Sequence, residues 1–133
     1  MSTPELQTPK RGDIFWADLP EDESVGSEQR DRRVVLVFSA NLVNDALKQE
    51  GCVIIPLTRQ IHKVNRHFRI RILEAYKIAE PGHSREVAGD SLALTEQIRF
   101  ISRDRMDAQR IASLNPVALS AVEAGVKFVL GLP

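Results

Sequence analysis

The sequence predicts a mainly β fold: a small twisted barrel with a short internal helix and a C-terminal helix. Three observations predict it. Short apolar or alternating segments recur along the chain, separated by turn residues. Only two segments carry helical signals, one short and one at the end. A length of 133 residues suits one domain with a hydrophobic core that needs no covalent staples. Many short strands with one or two helices pack as a small barrel with helical additions.

The elements follow in order. Residues 1–10 hold two prolines and no periodicity and read as a disordered arm, with 11–133 as the single domain. Residues 14–19 are rich in aromatic and branched side chains, a strand composition. Residues 20–32 are polar and acidic, and a connection of that length is usually functional or disordered. Residues 33–38 form a continuous apolar run, a strand buried on both faces. Residues 41–49 fit a short helix, capped by Ser39 or Asn41 and stopped by Gly51. Residues 52–57 read as a central strand, with Pro56 confined to its end because proline lacks a ladder donor.

Phe68, Ile70 and Ile72 then alternate with His67, Arg69 and Arg71, a period-2 strand with one basic face. Pro81, Gly82, His83 and Ser84 make a turn, and two short strands, 91–94 and 98–101, flank Glu96 and Gln97. Asn115 and Pro116 open the last helix as N-cap and first residue. Its apolar residues Leu119, Val122, Val126 and Val129 recur at helical spacing, and Gly131 ends it. Gly125 inside it costs about 1 kcal/mol relative to alanine and suits a close packing contact.

Apolar residues make up 43% of the chain and charged residues 27%, the balance of a globular protein. The single Cys52, at the start of an apolar strand, reads as a small core residue and excludes an internal disulfide. The N-terminal residues lack the basic and apolar regions of a secretion signal, and no apolar stretch approaches membrane-spanning length. The expected location is cytoplasmic. Eighteen basic and eighteen acidic residues cancel, unlike a dedicated nucleic-acid binder, which is usually basic. Their distribution is uneven. Residues 18–28 hold five acids and no bases; residues 59–71 hold five Lys or Arg, two His and no acids. A neutral chain so arranged can still present a positive groove.

Polar residues crowd two strand ends. Gly26, Ser27, Glu28 and Gln29 close the acidic loop, and Arg32 and Arg33 stand at the mouth of the run Val34 to Phe38. The run Val53 to Leu57 ends on Thr58 and Arg59. Function is commonly carried where a rigid element gives way to a loop. With Gly12 and Asp13 before an aromatic strand, Pro56-Leu57-Thr58, and Glu96-Gln97-Ile98-Arg99 followed by Arg105, these motifs stand in the order and spacing of a known family. From Gly12 onward the chain resembles the MazF/PemK family of toxin endoribonucleases from bacterial toxin–antitoxin pairs. It departs from the family pattern in a longer acidic loop at 20–25 and in Val34, where a proline is common after the arginine.

The resemblance implies an SH3-like barrel, a homodimer with single-stranded RNA along its subunit interface, and an antitoxin whose flexible acidic and apolar tail enters the same groove. It also implies sequence-selective RNA cleavage without metal or other cofactor, leaving a 2′,3′-cyclic phosphate and a 5′-hydroxyl. RNA carries its own nucleophile, the 2′-hydroxyl, so the site must take its proton and stabilise charge on the phosphorane. Arginine suits the second task, being always charged and forked to match phosphate oxygens. The family's catalytic pair maps onto Arg33 and Thr58, whose hydroxyl can donate to the same oxygens. Two roles are open to Glu28: general base, or anchor for Arg33 or a loop amide. Ser27, Gln29, Arg32, Arg59 and Gln97 are the expected RNA contacts, Gln97 through an amide able to read a base edge. Of Phe15 and Trp16, one ring is expected in the core, and the other either joins it or stacks a base.

His62, His67 and His83 show neither metal spacing nor the pattern of an acid–base pair. The alternative from another class is a CcdB-like toxin of the same fold, which binds DNA gyrase and cuts no RNA. The joint presence of the Arg33 and Thr58 motifs argues against it.

Overall fold

The computed structural model describes residues 5–19, 32–61 and 66–133. Among them, eight strands and two α-helices follow the order β1 (Asp13–Asp18), β2 (Arg32–Val37), α1 (Asn41–Ala46), β3 (Gly51–Thr58), β4 (Ile70–Ile72), β5 (Lys77–Ala79), β6 (Ser91–Ala93), β7 (Arg99–Ser102), β8 (Ala112–Leu114) and α2 (Pro116–Leu130). One-turn 3₁₀ helices precede β5, β7 and β8. The strands pair in the order β4-β6-β3-β2-β1-β8-β5, a nearly closed barrel, with β7 also on β3. The short β5 and β8, three residues each, carry too little alternation to stand out in the sequence.

The apolar runs become the centre of the sheet, as expected. Along β1, β2 and β3, Ile14, Leu36, Ile55 and Leu57 enter one core, while Phe15, Ala17, Val35, Val37, Cys52 and Ile54 enter a second. Burial on both faces is why these strands read as continuous rather than alternating. Each fully buried aliphatic side chain contributes roughly 1.5–3 kcal/mol, so these three strands make a stiff support for whatever their ends carry.

Pro56 sits inside β3 rather than at its end, opposite Val35. The outer edge of β3 pairs with β7 over Gly51–Ile54 and with β6 over Leu57 and Thr58. Pro56 falls in the hand-over between them, and its carbonyl accepts from Leu94 N–H there. The missing donor thus faces a gap in the ladder, where it costs no bond.

Helix α1 stops at Ala46, shorter than expected, and its N-cap Ala40 makes no side-chain cap. The two expected caps serve long-range ties instead. Ser39 Oγ accepts from Val53 N–H at 3.0 Å, and Asn41 Oδ1 accepts from Arg11 N–H at 2.8 Å. Helix α2 keeps its expected start: Asn115 Oδ1 accepts from Ala118 N–H at 3.0 Å. Gly131 ends it with a left-handed φ of 69°. Gly125 lies where α2 meets the barrel; a Cβ there would stand 2.7 Å from the Phe68 carbonyl oxygen.

In the described part of the expected arm, residues 5–10, Gln7 N–H donates to Ala108 O, Gln109 Nε2 donates to Glu5 O, and Arg103 donates to Gln7 O. Arg103 is 2% exposed and also binds the carbonyls of Met106, Asp107 and Ala108, which makes it the staple for this segment. The strand expected from Phe68 begins only at Ile70. Before it, His67 and Phe68 turn to pack against Phe128 of α2, at ring separations of 4.3 and 6.0 Å.

Candidate active site

Antiparallel pairing builds the site. Val35 of β2 lies opposite Pro56 of β3. Arg33, two residues before Val35 near the start of β2, and Thr58, two residues after Pro56 and the last of β3, stand at the same end of this strand pair. Both side chains are half-buried, and both line one open cleft of about 580 Å³. The cleft floor is apolar, formed by Val34 and Leu57, and Trp16 of β1 and Glu86 wall it. The Thr58 hydroxyl oxygen accepts from Gln60 N–H at 3.1 Å. A hydroxyl has one proton and two lone pairs, so this bond orients the oxygen and leaves its proton to donate.

Arg32 borders the same cleft but is held differently. Its guanidinium donates to both carboxylate oxygens of Asp107, at 3.2 and 3.0 Å, and stands 5.4 Å from the centre of the Trp16 ring. Asp18 lies 3.7 Å away as a second counter-charge. Arg59 donates to the backbone oxygens of Arg85 and Glu86, at 3.2 and 2.7 Å. It thereby straps the 85–86 segment over the end of β3.

Two of the five cations in the basic stretch expected from the sequence are paired with acids. Arg69 is paired with Glu96, and Arg71 with Asp90 at 2.9 Å. Gln97 is exposed in the 3₁₀ turn before β7 and is not part of the cleft lining. Ser27, Glu28 and Gln29 lie outside the described residues, as does His62. The structure therefore brings together Arg32, Arg33, Thr58 and Arg59 of the expected set.

The fold adds groups that sequence reasoning missed. Glu86 accepts hydrogen bonds from the Trp16 indole N–H and from His83 Nδ1 on its own turn. The His83 bond, then the Trp16 bond, hold its carboxyl below the usual glutamate range. Lys77 lies behind the floor, its ammonium donating to Gly89 O and Ser91 Oγ, both at 2.8 Å. Burial, and next the charge of Arg59, push its pKa down. Thr58, Glu86 and Lys77 all line a second, 40 Å³ cavity behind the cleft. The His83-x-x-Glu86 spacing was visible only as part of a turn. Trp16 is partly buried against the first core while still facing the cleft, whereas Phe15 is fully buried. Among the described residues, no three His, Cys, Asp or Glu side chains gather as a metal-ligand set.

Residues 10–130 match the model of the PemK-like, MazF-like toxins of type II toxin–antitoxin systems. The chain belongs to that toxin family. Solved structures agree with the fold. A MazE–MazF complex from Deinococcus radiodurans matches at a TM-score of 0.65 and 20% identity, over 96% of this chain and 99% of that one. An endoribonuclease from a mycobacterial species matches at 0.63 and 16%, over 96% of each chain. Mycobacterium tuberculosis toxin MazF-mt6 matches at 0.65 and 15%, over 91% of this chain and 98% of that one. The toxin family thus spans nearly the whole chain, and its barrel carries the cleft at the β2–β3 end. Among the described residues, no helix is long and apolar enough to cross a membrane.

Proposed function

We propose that this toxin-family chain is an endoribonuclease that cuts single-stranded RNA, mRNA above all, at selected sequences and without a metal ion. The observation that carries the reading is that Arg33 and Thr58 line one cleft. Arg33 offers a fixed charge to the phosphorane oxygens and Thr58 a hydroxyl donor, the two functions that in-line attack by the 2′-hydroxyl needs. The products are a 2′,3′-cyclic phosphate and a 5′-hydroxyl. The apolar floor and Trp16 offer surface for a base, and Arg32 and Arg59 set charge around it. Glu28, Ser27, Gln29 and Gln97 enter this reading on the sequence motifs alone.

The described structures include MazE–MazF complexes. By likeness, this chain works in the cytoplasm as a homodimer whose RNA groove is blocked by the acidic, flexible tail of an antitoxin. RNA binding should weaken as salt rises, because phosphate contacts release counterions. The test is incubation of the purified chain with a long mixed-sequence RNA in EDTA, followed by mapping of the new ends. Cuts at a recurring sequence with 5′-hydroxyl ends support the reading. Intact RNA refutes it, and intact RNA with inhibited gyrase would restore the CcdB-like alternative.

A further inference from the structure

The ribonuclease reading leaves one step open, removal of the 2′-hydroxyl proton: Glu28, one candidate for it, lies outside the described residues. Arg33 and Thr58 are donors. Among the described residues lining the cleft, Glu86 is the one carboxylate. A carboxylate in an RNA site repels phosphate, so its presence beside Arg33 and Thr58 calls for a task. It is also held with care. One oxygen accepts from His83 and the other from Trp16, which fixes the plane of the carboxylate and leaves each oxygen a second lone pair. Its backbone is strapped by Arg59, the residue directly after Thr58. Glu86 and Thr58 share the lining of both cavities.

Resting on that reading, we propose that Glu86 is the general base of this site, with His83 and Trp16 as the residues that position its carboxylate. Glu86 takes the proton as the O2′–H bond breaks. The O2′ electron pair forms the bond to phosphorus, and the P–O5′ bond breaks with its pair going to O5′. That oxygen takes a proton from water, and Glu86 returns its own to solvent through the exposed side of the cleft. The charged and titratable groups facing Glu86 are His83 and Arg85 on its own turn, Arg32 and Arg33 on β2, Arg59 after β3 and Lys77 on β5. The nearby positive charge of Arg32 favours the ionised carboxylate.

The experiment compares wild type, Glu86→Gln, Glu28→Gln and Trp16→Phe on one RNA across pH. Glutamine keeps an oxygen to accept from Trp16 but cannot take the proton. The expected result is a loss of about a hundredfold or more in kcat for Glu86→Gln, with KM within about threefold. The acidic limb of its kcat/KM profile should vanish, while Glu28→Gln keeps that limb. Trp16→Phe removes the indole donor and should cost less than about tenfold. A Glu86→Gln rate within threefold of wild type, or a surviving limb, overturns the assignment. So does a Trp16→Phe loss equal to that of Glu86→Gln, which would leave Glu86 as a support for the indole. If Glu86→Gln melts early, Glu86→Asp serves in its place: it keeps a carboxylate and must keep the limb, and loss of the limb overturns the proposal. A wild-type chain that leaves RNA intact overturns the ribonuclease reading and this assignment together. A cleaving wild type with an active Glu86→Gln overturns the assignment alone.

Discussion

Replacing Thr58 by valine separates chemistry from architecture, because the structure sets the two costs far apart. Valine keeps the branched shape at the end of β3 and its fitness for a strand. What it deletes is the hydroxyl and the bond from Gln60 N–H, 3.1 Å long and exposed. An exposed amide finds water, so the folding cost stays within about 1 kcal/mol, the net worth of one ordinary hydrogen bond. The catalytic cost is larger. A donor aimed at charge that develops only in the transition state is worth on the order of a hundred to a thousandfold in kcat, about 3–4 kcal/mol. Thr58→Val should therefore unfold at nearly the wild-type denaturant midpoint yet cleave at least a hundredfold more slowly, with KM little changed. The assay is single-turnover cleavage of one mapped RNA beside a denaturation curve. A raised KM at unchanged kcat would make the hydroxyl a ground-state contact. A rate within threefold of wild type would remove Thr58 from the mechanism.

Three further outcomes follow from the same geometry. Arg33→Ala should lose about a hundredfold or more in cleavage while its circular dichroism stays that of wild type, since the residue stands at a strand mouth rather than in a core; a rate within threefold refutes it. Gly125→Ala gains about 1 kcal/mol of helix propensity but drives a Cβ to 2.7 Å from the Phe68 carbonyl oxygen and 3.1 Å from Ile70 and Thr95. Overpacking against backbone costs roughly 1–3 kcal/mol, so the melting temperature should fall, and a rise would show that α2 shifts freely. Burial pushes the Cys52 thiol up to about 11, so at pH 8 it stays protonated and shielded. Ellman's reagent should titrate no thiol in the folded protein and one in denaturant, and rapid reaction of the folded chain would contradict the core position of β3.

The order of motifs and the apolar runs were enough to predict the barrel, the capped C-terminal helix and the polar strand ends that carry Arg33 and Thr58. Those features are local in cause: a run of branched residues makes a strand, Asn115-Pro116 opens a helix, and a polar residue at a strand end is visible as such. Other features were not local. Arg69 and Arg71 read as a basic face, yet their counter-charges Glu96 and Asp90 stand 27 and 19 residues away in sequence. Gln7 looked unattached because its partner Arg103 lies 96 residues on. Residues 83–86 read as a turn and nothing more. Only barrel closure lays Glu86 against Trp16, 70 residues earlier, and under the strap of Arg59. By itself the sequence determined which side chains stand at strand ends, since period and composition act over a few residues. Tertiary structure decided which of those charges are already satisfied and which carboxylate faces the cleft, because ion pairing and desolvation depend on distances that chain closure alone creates.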